Sequence, residues 1–139
     1  MVIVAVVLVA VVLFVGFYFG RLLVGGATLR VGFQPEPPWQ VKLSGVLNFT
    51  FYVTNDGPGI ARDISVSFLM PSGFIDSDTG TNQNNIQSSR IFPGDAVTYW
   101  FRILVSSQIA LGSHTFTIKV TCANAPEQLI NPEVRVLKT

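Results

Sequence analysis

The sequence predicts an all-β domain, an antiparallel β-sandwich of about seven strands, behind a single N-terminal transmembrane α-helix. Three observations predict it. Residues 2–19, VIVAVVLVAVVLFVGFYF, carry no charged side chain. From residue 46 onward apolar side chains recur at every second position, the period of a strand with one buried face. These runs are short and parted by Gly, Pro, Asn and Asp, which reverse a chain rather than extend a helix. The expected units are residues 1–24 as the helix, 25–45 as a juxtamembrane segment with the first strand, and 46–139 as the sandwich.

The chain has 139 residues, the size of one ordinary domain. It is 49% hydrophobic and 12% charged, against about 25% charged in an average soluble domain. The N-terminal run is the source of that imbalance. As a helix it spans about 27 Å, close to the hydrocarbon thickness of a bilayer. Leu22, Leu23 and Val24 lengthen it, and Arg21 can snorkel to the headgroups. A cleaved signal peptide would have a charged start and a shorter apolar core, so an uncleaved anchor is expected and membrane lipid is its first partner. Gly16 and Gly20 form a G-x-x-x-G through which two copies can pair into a homo-oligomer. Phe14, Phe17, Tyr18 and Phe19 gather like an interfacial belt. Arg21 and Arg30 by themselves favour a cytoplasmic domain under the positive-inside rule. The domain type and a glycosylation sequon favour the other side, and an extracytoplasmic domain is expected.

After Gly25-Gly26 comes an apolar run, Thr28 to Phe33, and then QPEPPW at 34–39. Its three prolines cannot donate to a ladder, which makes it an edge or connecting segment. Leu47, Phe49, Phe51 and Val53 then alternate with polar residues, as do Ile64, Val66, Phe68 and Met70. Val97, Tyr99, Phe101, Ile103 and Val105 share one face of the longest run. Phe116, Ile118, Val120 and Cys122 share another, with Val134 and Val136 in the tail and a weaker strand near 86–91. Many short alternating strands indicate an immunoglobulin-like sandwich. The inward phenylalanines 49, 51, 68, 101 and 116 would each contribute roughly 1.5–3 kcal/mol on burial. Between two of the strands lies NDGPG, residues 55–59. It reads as a turn in which Gly57 tolerates positive φ and Pro58 fixes its own.

The succession FTFYVTNDGPGIARDISVSFLMPSGF and IFPGDAVTYWFRILVSSQIALGSHTFTIKV resembles the CARDB and S-layer-associated immunoglobulin-like repeats of archaeal and bacterial surface proteins. The matching positions are Asn55, Gly57, Asp63, Pro71, Gly73, Pro93, Gly94, Gly112 and His114, over about residues 46–121. The resemblance implies a sandwich used as a spacer, stalk or adhesive module.

Catalytic chemistry is not expected. The single histidine, His114, follows a glycine turn, and the single cysteine, Cys122, falls on an inward face. No nucleophile elbow, zinc-protease motif or phosphate loop is present in the sequence. With net charge +1 the chain has no basic field for nucleic acid. No cofactor is expected. Asp76, Asp78, Asn82 and Asn84 lie in the most polar stretch, DSDTGTNQNN, but their spacing fails the EF-hand pattern. A solvated loop open to partner contact through Asp76 and Asp78 is expected there. Asn48-Phe49-Thr50 is a glycosylation sequon with Asn48 on an outward face. Tyr52, Leu69, Trp100 and Leu104 also point outward; clustered, they would form an interface patch, and alternatively the QPEPPW segment covers them.

These features favour a non-enzymatic, membrane-anchored accessory or structural subunit that contacts other membrane or cell-surface proteins. One alternative is a subunit of an archaeal pilus- or archaellum-like filament or its stator, where apolar N-terminal helices bundle. The chain lacks a processing site ahead of its helix, which counts against that. A second alternative is a surface module that binds carbohydrate through Trp100, Tyr52 and the 76–85 loop.

Overall fold

A computed structural model describes residues 26–138. The apolar N-terminal segment, with Gly16 and Gly20, lies outside the described residues. The rest is all β, in two layers. The first layer is an antiparallel sheet in which β1 (Leu29–Gln34) pairs with β3 (Val46–Asn55), β3 with β7 (Ala96–Val105), and β7 with β5 (Phe74–Asp76). The second layer places β10 (Ala125–Ile130) beside β9 (Thr117–Cys122), then β4 (Ala61–Leu69) and β6 (Gln83–Ile91). It continues as a small sheet of β2 (Trp39–Lys42), β11 (Glu133–Leu137) and β8 (Gly112–Thr115). The two parts meet at Phe116, whose N–H donates to the Pro132 carbonyl at 3.0 Å. Register carries through that joint, since Ile130 lies opposite Ile118 and Glu133 opposite Thr115.

The expected strands are all present, and their greater number among the described residues, eleven, has physical causes. The strand expected at 115–122 is divided at Phe116 into β8 and β9. Three short strands, β2, β5 and β10, had no alternation long enough to register. Residues 25–45 supply one strand to each layer, because the prolines of QPEPPW end the β1 ladder and redirect the chain to β11. Trp39 closes that crossing inside the core: its Nε1–H donates to the Pro35 carbonyl at 2.8 Å, and its ring stacks on Phe49 at 4.2 Å.

The core is strongly aromatic. Phe49 stacks on Phe101 at 5.1 Å, Phe101 meets Phe68 at 4.8 Å, and Phe116 stands edge-on to Phe68 and Phe74. All five inward phenylalanines expected from the alternation are buried, and Phe33, Trp39 and Phe74 join them. Within β4 the alternation is reset by Asp63, which sits in the left-handed region at φ 52°, so that both Ala61 and Ile64 face inward. Asn55 ties together one end of the sandwich. Its Nδ2 donates to the carbonyls of Gly59 (2.7 Å) and Ile91 (2.9 Å), and its Oδ1 accepts from the Gly57 N–H (3.0 Å) and the Thr28 N–H.

The stretch 55–59 is the expected connection, but for a different reason. Positive φ occurs at Gly73, Gly80, Gly94 and Gly112, not at Gly57. Gly57 is needed because a β-carbon there would lie 2.5 Å from the Thr28 nitrogen. The turn packs its backbone directly against the chain entering β1.

Candidate functional site on the outer face of the first sheet

Strand alternation places Val46, Asn48, Thr50, Tyr52, Trp100, Arg102 and Leu104 on the outer face of the first sheet. Register then decides which of them meet. Thr50 lies opposite Trp100 and Asn48 opposite Arg102, so sequon and indole form one block of four neighbours. Trp100 is 75% exposed, although it is mid-strand and flanked by buried Tyr99 and Phe101. QPEPPW does not cover it. Around it runs an open groove of about 480 Å³, lined by Gln34, Asn48, Thr50, Asp78, Trp100 and Arg102, among others. Among the described residues, the side chains of Gln34, Asn48, Asp78, Trp100 and Arg102 make no hydrogen bond or ion pair with the protein.

The other polar side chains singled out in the sequence behave differently. Asp76 is fully buried, which corrects the expectation that it faces a partner. Its Oδ1 accepts from the Asp78 N–H at 2.9 Å and its Oδ2 from the Asn84 amide at 2.8 Å. Asn82 donates to the Met70 carbonyl at 2.9 Å. The 76–85 stretch is thus an internally bonded loop laid along β7, with the Ser77 N–H donating to the Arg102 carbonyl at 2.9 Å, and it reaches the groove through Ser77 and Asp78. Burial without pairing would cost a carboxylate several kcal/mol, and those two donors offset it.

Tyr52 is half-buried, its ring lying across Gly32 on β1 where a β-carbon would come within 2.2 Å of it. It is a diagonal neighbour of Trp100, because Thr98 is its direct partner. Leu69 belongs to β4 on the opposite sheet and does not join the patch. Leu104 does join an apolar row: it lies directly opposite both Val46 and Ile75. These three are 39%, 41% and 40% exposed, an unusual run for three adjoining strands. Arg102 and Gln34 went unremarked in the sequence. Arg102 stands two residues from Trp100, so the alternation of β7 already put it on the same face.

His114 is half-buried, edge-on to Phe74 and 2.7 Å from the Ala110 carbonyl through Nε2. Cys122 is half-buried, with its Sγ 3.3 Å from the Arg62 carbonyl. Among the described residues no group of three His, Cys, Asp or Glu side chains is placed to hold a metal ion. Arg30 and Asp56 pair at 2.8 Å on the surface, and that hydrogen bond, followed by the carboxylate's charge, raises the guanidinium pKa above its ordinary value.

Comparison with known proteins gives the fold a relative. No protein-family model and no curated protein sequence matches the chain. Among solved structures it is similar to the CARDB domain of a Pyrococcus furiosus protein, described in complex with di-metal ions: TM-score 0.59, 15% identity, over 81% of this chain and 90% of that one. It is also similar to part of a family 123 glycoside hydrolase from Clostridium perfringens (TM-score 0.55, 11% identity, 81% of this chain) and of E. coli alpha-2-macroglobulin (TM-score 0.61, 10% identity, 79% of this chain). The match covers only 28% and 7% of those two chains, where the sandwich is one unit of a larger protein. The glycines expected from the repeat pattern at 73, 94 and 112 all adopt the positive φ that only glycine holds without strain. The described residues therefore have the fold of a CARDB-type immunoglobulin-like β-sandwich.

Proposed function

We propose that this chain is a non-enzymatic accessory or structural subunit, held in a membrane by residues 1–24, whose extracytoplasmic sandwich contacts other membrane or cell-surface proteins. One observation carries the reading: the exposed apolar row of Val46, Leu104 and Ile75. Its position fits that role. Residue 26 enters the sandwich at the end built from the 55–60, 92–95 and 123–124 turns. The row stands at the other end, beside the contacts of Gly45 with Val105 and of Gly73 with Ser106. A membrane at residue 26 would leave the row facing outward, and 51%-exposed Phe92 would face the headgroups.

The internal consumption of Asp76, Asn82 and Asn84 in hydrogen bonds supports a role in contact rather than chemistry. The two metal ions of the Pyrococcus domain are not carried over. Deleting residues 1–24 is expected to leave a soluble, folded β protein. In membranes, Leu104→Glu is expected to remove co-purifying proteins while circular dichroism stays unchanged. An unaltered set of co-purifying proteins would count decisively against the reading.

A further inference from the structure

The groove around Trp100 is chemically unlike the apolar row at the end of the same face. Its centre is the 75%-exposed indole of Trp100, standing on β7 beside β3, and its rim is polar. That rim offers amides from Gln34 and Asn48, a hydroxyl from Thr50, a carboxylate from Asp78 and a guanidinium from Arg102. Within the described residues these amide, carboxylate and guanidinium groups are unspent, whereas Asn55, Asp76, Asn82 and Asn84 are all engaged inside the protein. A ligand suited to both parts must present a weakly polar C–H face to the indole and a periphery of hydroxyls that both donate and accept. A pyranose ring does so. A nucleic acid would call for more positive charge, and this rim holds one cation and one anion. An apolar peptide would leave the rim's hydrogen bonds unmade, at a cost for each.

We propose that the Trp100 groove is a saccharide-binding site, in which a sugar ring stacks on the indole and its hydroxyls bond to Asn48, Asp78 and Arg102. The sequon gives this a second source of the same chemistry. Asn48 and Thr50 both point into the groove, so a glycan attached to Asn48 would begin beside the indole. Free and tethered sugars would meet the same indole, carboxylate and guanidinium, with Asn48 a hydrogen-bonding partner of the first and the attachment point of the second. The proposal does not depend on the apolar row or on a protein partner.

The two tryptophans make the test direct. Trp39 is buried and Trp100 exposed, so a ligand on Trp100 alters the red, solvent-exposed part of the emission. The full chain with Asn48 retained, produced in a host without N-glycosylation so that no glycan is attached and kept in a detergent without sugar headgroups, is titrated with neutral, N-acetylated and uronic di- to tetrasaccharides. At least one class is expected to give a saturable blue shift. Calorimetry is expected to show that binding weakened by about tenfold or more in Trp100→Ala, and less in Trp100→Tyr. Intact mass of the chain from its own cells then separates the sources: a glycan lost in Asn48→Gln identifies a tethered occupant, and an unmodified Asn48 a free one. If no member of the panel gives a saturable shift at its highest soluble concentration, the proposal is overturned. The same holds if sugar binding survives Trp100→Ala, or if Trp100→Ala removes a co-purifying protein while no sugar binds.

Discussion

The carboxamide of Asn55 reaches across 36 positions of sequence to donate to the Ile91 carbonyl at 2.9 Å, and this bond fastens β3 to the end of β6 on the facing sheet. The same side chain holds Gly57, Gly59 and Thr28, and it is fully buried. An apolar replacement would strand two acceptors and two donors at once. Asn55→Ala is expected to cost about 3 kcal/mol, read as a lower urea midpoint with an unchanged slope. A loss no larger than that of a surface substitution would show that water replaces the amide there.

Two glycines separate two kinds of constraint. Gly57→Ala drives a β-carbon into the backbone of Thr28, which must move with the whole start of β1, and a loss of about 2 kcal/mol or more is expected. Gly80→Ala meets open space but must hold φ 69°, so a loss of about 1 kcal/mol is expected. Thermal unfolding of both variants checks the ranking.

Phe116 touches Phe68, Phe74 and Trp39 at the joint of the second layer, and it is fully buried. Phe116→Ala is expected to destabilise the domain by about 3–5 kcal/mol. Amide exchange should quicken most in β8 and β11, which meet β9 and β10 through this residue and Pro132.

Gly32 and Tyr52 form a surface couple across β1 and β3. Gly32→Ala is expected to swing the Tyr52 ring away, because a terminal ring gives way where backbone would not. In a double-mutant cycle, Gly32→Ala should cost nothing further once Tyr52 is alanine, a coupling on the order of 0.5–1 kcal/mol.

The Arg30–Asp56 pair should respond to salt rather than to neutral pH. The arginine pKa is raised in the folded state, so its contribution is complete below the ordinary arginine value and fades only as pH rises through the higher one. Between about pH 5 and 9 the arginine therefore adds no pH dependence. The stability difference between the unsubstituted chain and Arg30→Gln should be small in dilute buffer and vanish in about 1 M salt.

The legible part of this fold was its alternation. Period two over β3, β4, β7 and β9 placed Phe49, Phe68, Phe101 and Phe116 inward, and all four are buried. What alternation could not reach were elements too short to show a period. Phe74 sits in a three-residue strand, and Trp39 begins a four-residue one after a proline run. Asp76 was misread because polarity predicts exposure, whereas its burial depends on donors from Asp78 and Asn84 that appear only when the loop closes. The groove was half visible: Trp100 was grouped with the 76–85 loop, but the pairing of β3 with β7 is what brings Asn48 beside Trp100, and the Ser77–Arg102 backbone bond is what brings Asp78 to the same face.

The parallel pairing of β2 with β11 has a mechanical consequence. β2 follows the N-terminal strand and β11 precedes the C-terminal residues, and the two run side by side in the same direction. Tension applied at residue 26 and opposed near residue 137 would fall first on the β1–β3 ladder and, behind it, would slide β2 and β11 lengthwise past each other. All their hydrogen bonds would then be loaded together instead of being opened one at a time. A sandwich with this geometry resists being drawn out along its length, which suits a body tethered at one end and gripped at the other.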